Sequence, residues 1–89
     1  MALTTENFRA LPDRRAAFTL LATNLRWRLG VITTRLTGWL DAGRDHRPAA
    51  EQAHRRDGLL SEARELRADL DLLIAELEAS TAQADREAA

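Results

Sequence analysis

The residues of this chain best equipped for chemistry cluster between positions 45 and 57. Glu51 and His54 stand three residues apart, which places a carboxylate and an imidazole on one side of a helix, within reach of the same metal ion. His46 and His54 with Asp45 and Asp57 could gather around zinc in a similar way. Both ideas need more than the sequence supplies. A di-iron carboxylate centre draws further carboxylates from facing helices, and there is no Asp or Glu between Asp13 and Asp41. A zinc site requires fixed tetrahedral geometry, which two histidines in a polar connection do not define. Ser61 and Ser80 sit in no nucleophile-elbow context, and no glycine-rich phosphate loop occurs. A metal-binding bundle enzyme built on Glu51 and His54 is therefore the weakest of the readings. No catalysis, cofactor or resident metal is expected.

A second candidate is "LRWRLG", where Trp27 lies between Arg26 and Arg28. Tryptophan among arginines suits a membrane surface or a nucleic acid. On a helix, however, the two arginines flank the indole at about 100° to either side, so their aliphatic stems can cover it. Their charges also have a destination within the chain. Residues 1–47 carry eight arginines against four acidic residues, a balance of +4, and residues 48–89 carry five against ten, a balance of −5. The acidic half would repel phosphate, so no nucleic-acid partner is expected. No apolar run approaches the ~20 residues that span a bilayer. The first residues hold an acid and no apolar core, unlike a secretory signal, which makes a cytoplasmic location the expectation.

The elements that position these residues follow from composition. The 89 residues are rich in alanine, leucine, arginine and glutamate, the strongest helix formers, with no cysteine and few β-branched apolar residues. The fold class is all-α. Thr4 can cap a short N-terminal turn, with Leu3 and Phe8 as a hydrophobic staple, in a segment spanning 1–13. Asp13 can cap a first long helix over about 14–41. "DAGRDHRP" forms a turn at about 42–47, with Gly43 as a left-handed cap and Pro48 in the first turn of a second helix over about 48–86. Gly58 costs about 1 kcal/mol there, and the helix either continues through it, the favoured reading, or kinks and restarts before Leu59. Residues 87–89 form a frayed tail. The whole, 14–86, is an antiparallel helical hairpin.

Leu59, Leu66, Leu70, Leu73 and Leu77 recur in steps of three, four and seven on the second helix, the seam of a left-handed helix pairing. Phe18, Leu21, Leu25, Leu29, Ile32, Leu36 and Leu40 form a stripe on the first. These two sets are the expected hairpin core. Leu20, Trp27 and Val31 fall on nearly the opposite side of the first helix, next to a strip of small residues that includes Gly30 and Thr34. One neighbouring helix cannot cover both sides, and leaving large apolar groups in water forgoes about 1.5–3 kcal/mol each. The expected interface is therefore Leu20, Trp27, Gly30, Val31 and Thr34, with Arg28 and Arg35 as ionic partners. A second copy would complete a four-helix bundle; another helical protein could serve instead.

Two helices of this length with Trp39 near the bend, in "TGWLDAG", make the chain resemble the WXG100 proteins exported by type VII secretion systems. That resemblance implies a secreted helical hairpin. The chain departs from the family's pattern where Asp41 stands in place of the glycine of Trp-x-Gly, and where the absence of tyrosine leaves no Tyr-x-x-x-Asp/Glu signal. The function expected from the residues themselves is a non-catalytic interaction module, a small accessory or scaffold subunit. A WXG100-like hairpin and an amphipathic binder of membrane or nucleic-acid surfaces stand as the alternatives.

Overall fold

The computed structural model describes residues 3–88, and all regular structure among them is helical. Three helices follow in order: α1 (Thr5–Ala10), α2 (Arg14–Arg44) and α3 (Ala49–Ala88). The two long helices lie antiparallel in an elongated body of 61 × 22 × 17 Å.

Their ends are set by local chemistry. The Thr4 side chain accepts a hydrogen bond from the Asn7 amide, and the Asp13 side chain accepts one from the Arg15 amide. Each satisfies a donor that the first helical turn cannot pair. The turn differs from expectation. Gly43 stays within α2, which runs to Arg44, and the left-handed residue is His46, with φ of 53°. The amides of His46 and Arg47 donate to the carbonyls of Gly43 and Ala42, closing the end of α2 through the turn. Pro48 precedes α3, and its carbonyl accepts from the Gln52 amide. α3 then continues through Gly58 without interruption.

The small apolar core sits at the open end of the hairpin. Phe8, Ala17, Leu21 and Leu72 are buried there, with Leu3, Leu11, Phe18, Leu25 and Leu73 packed around them. α1 closes this end like a plug. The Phe8 ring meets Phe18 edge-on at 5.2 Å, and the Arg14 guanidinium lies 4.9 Å from the Phe8 centroid. Arg14 also donates to the carbonyls of Phe8 and Leu11, and Arg9 reaches Glu76 at 3.0 Å. Burying one phenylalanine stabilises by about 1.5–3 kcal/mol, which accounts for a six-residue helix staying docked.

Candidate functional site

Between α2 and α3, beyond this core, ion pairs occupy the middle of the seam. Leu21, Arg28, Arg35 and Ala42 recur every seven residues on α2, and Arg55, Glu62, Asp69 and Glu76 do so on α3. Each set therefore forms one column of a paired helix. Arg28 and Asp69 are each 2% exposed. Arg28 donates through Nε to Asp69 Oδ2 at 3.0 Å and through Nη1 to Glu62 at 3.1 Å, and it also bonds Glu65. The Asn24 amide donates to the same Asp69 oxygen at 2.9 Å. Burial works against the charge on Arg28, but the hydrogen bonds and charges of Asp69 and Glu65 outweigh it and hold the guanidinium pKa above its ordinary value. Among the described residues, no buried side-chain nitrogen or oxygen lacks a partner.

Nearer the turn, two glycines make room for arginines of the opposite helix. A Cβ at Gly58 would stand 2.9 Å from Arg35 Nη1, and one at Gly38 would stand 3.0 Å from Arg55 Nη1. The long side chains lie across the bare backbone in reciprocal fashion. Gly30, by contrast, has nothing within 4 Å of a Cβ position.

With the seam occupied by charges, much of the leucine surface is left uncovered. Leu21 is buried as expected, and Phe18, Leu25, Ile32, Leu59, Leu66 and Leu73 are half-buried. Leu29, Leu36, Leu40, Leu70 and Leu77 are exposed by 52, 40, 56, 41 and 50%. These five correct the expected hairpin core. The cause is a rotation of each helix by about one column, which turns Arg28 and Asp69 inward and the leucines sideways.

The displaced leucines share one side of the hairpin. At about 100° per residue, Leu25, Leu29, Ile32 and Leu36 follow the seam column of α2 in the right-handed sense. Leu59, Leu66, Leu70 and Leu77 follow that of α3 in the same sense. For two antiparallel right-handed helices these sectors lie on the same side. The groove on the opposite side, lined by Thr34 and Gly38 of α2 and by Glu51 and His54 of α3, confirms the orientation. One broad side is thus a leucine face contributed by both helices.

The expected interface residues occupy other positions. Leu20 and Trp27 are exposed and Val31 is half-buried, all on the side opposite the leucine face. Gly30 and Thr34 are exposed. α3 offers Ser61, Ala68 and Ala75 beside them, so this side has no matching apolar surface. Arg28 is committed within the chain, which corrects its role as an ionic partner for another molecule. Its guanidinium lies 5.7 Å from the Trp27 ring, within cation–π range. Arg35 lies over Gly58 with Glu62 at 4.0 Å.

Sequence reasoning missed Glu62, Glu65 and Asp69 as the internal partners of Arg28, and Asn24 as a second donor to Asp69. For Glu62 and Asp69 the signal was present in the seven-residue recurrence that they share with Arg28 and Arg35.

The residues first considered for metal chemistry are engaged otherwise. Glu51 accepts from Arg47 at 2.7 Å and from Arg55 at 3.2 Å. The hydrogen bonds from Arg47 and then Arg55 hold its carboxyl below the usual range, and the same contact raises the pKa of Arg47. Among the described residues, no three His, Asp or Glu side chains are placed to hold a metal ion. No helix among them is long and apolar enough to cross a membrane. Comparison with known protein families, with curated proteins and with solved structures finds no match.

Proposed function

We propose that this chain is a non-catalytic interaction module, a small helical accessory or scaffold subunit whose leucine face packs against partner helices. One observation carries the reading. The two long helices place the ion pairs of Arg28 at the centre of their facing columns and direct Leu29, Leu36, Leu70 and Leu77 to one exposed side. In a chain of this size such a contiguous patch marks an interaction surface. The ionic seam fixes the register of the hairpin and so holds the leucines of both helices in line. Buried polar groups that fix register at a cost in stability are attested in paired helices.

Two double variants test this reading by light scattering and circular dichroism. Leu36→Asp with Leu70→Asp places charges on the leucine face at positions that the hairpin does not bury, so helicity is expected to persist while association is lost. Leu20→Asp with Trp27→Glu alters the opposite side and is expected to leave association in place. The reverse pattern would move the interface to the Trp27 side and refute the proposal.

A further inference from the structure

We infer that the occupant of the leucine face is a second copy of the chain, seated so that α2 of each protomer lies on α3 of its partner. The inference rests on the interaction reading above and commits it to one partner and one pairing.

Surface area is the first argument. A compact monomer of 10.0 kDa exposes about 5,200 Å². This chain exposes 6692 Å², an excess of about 1,500 Å². A standard interface buries about 800 Å² on each partner, and obligate homodimers bury more. The excess is therefore of the size that a permanent dimer removes. Two hairpins stacked on their leucine faces form the two layers of a four-helix bundle.

Charge selects the pairing. α2 carries six arginines against Asp41 alone, and α3 carries five arginines against ten carboxylates. The helices are therefore +5 and −5. A two-fold axis lying in the interface can run across the helices or along them. Across them, α2 meets α2 and α3 meets α3, which pairs helices of like net charge. Along them, α2 meets the partner's α3, and every helix has two neighbours of opposite charge, all antiparallel. Attraction between helices of opposite net charge favours this pairing over the other. The axis along the helices also keeps each residue at its own height. Arg28 lies level with Glu65 within the hairpin, so Leu29 and Ala63 of different protomers come together at the centre of the face.

The chain contains no cysteine, so pairs of introduced cysteines report the arrangement cleanly. Chains carrying Leu29→Cys and chains carrying Ala63→Cys are mixed, exchanged under reducing conditions and oxidised. The expected product is predominantly the mixed disulfide, formed severalfold faster than either like-with-like product. Preferential cross-linking of Leu29→Cys chains to each other would overturn the pairing in favour of α2 on α2.

A single-chain mass by light scattering, with no cross-link, would overturn the second copy altogether. An anilinonaphthalene dye then separates the two failures. Dye bound by the wild type and lost in Leu36→Asp/Leu70→Asp leaves the face open for another helical protein. No dye binding would remove the interaction reading as well.

Discussion

Replacing Arg28 with leucine removes the cation at the centre of the seam and leaves its partners in place. Asp69, 2% exposed, would retain only the Asn24 amide at 2.9 Å. Glu62 and Glu65 would stand beside it with no positive charge between them. Breaking a buried ion pair from one side costs about 3–5 kcal/mol, because the surviving charge stays buried and uncompensated. That is comparable to what a core of this size supplies, so the variant should be largely unfolded or have a greatly lowered melting temperature. Asp69→Asn is milder. It keeps the shape and leaves Arg28 with Glu62 and Glu65, for an expected loss of about 1.5–3 kcal/mol. Arg28→Leu/Asp69→Leu removes both charges and should return to within about 2 kcal/mol of wild type or exceed it. Urea denaturation followed by circular dichroism, with Asp69→Leu as the second single variant and at one fixed protein concentration, closes the cycle. An Arg28→Leu loss below about 1 kcal/mol, or a double variant equal to the sum of its singles, would refute the view that this ion pair organises the hairpin.

Other outcomes follow from single residues. Gly58→Ala should stabilise by about 0.5–1 kcal/mol, because the helix gains alanine's propensity and only the mobile end of Arg35 must move from its 2.9 Å position; a measured loss would show that Arg35 is held there. His46→Gly should stabilise by about 1 kcal/mol, since its φ of 53° strains a side chain and not glycine; a loss in thermal melting would contradict this. Glu51 should titrate below the usual carboxylate range in a carboxyl-shift NMR experiment, given its bonds to Arg47 and Arg55. Its folded pKa is depressed, so its contribution is present above the unfolded pKa and is lost as pH falls through the folded one. An ordinary midpoint would show that these surface pairs do not persist in solution.

The helices were legible in the sequence because their signals are local. Thr4 and Asp13 are caps by side-chain type, and proline and glycine mark the turn. The left-handed position was misplaced because Gly43 is the obvious candidate, whereas the turn hydrogen bonds put it three residues later, at His46.

The facing of the helices was harder to read. A leucine column on an amphipathic helix signals burial against something, and periodicity does not say whether that something is the same chain. Leu70 and Leu77 were assigned to the seam for this reason, while Asp69 and Glu76, one position away in each case, occupy it. The deciding information is the match between columns on different helices. Arg28 in an otherwise apolar stretch finds Asp69 and Glu62, and that pairing turns the leucines outward.

On this account the leucine face is an interface and the isolated hairpin is half of a structure. Sedimentation equilibrium of the unmodified protein over a wide concentration range tests it most directly. The expected mass is twice the 10.0 kDa of one chain, held to the lowest concentration measured. A single-chain mass throughout, from a soluble and fully helical protein, would contradict it.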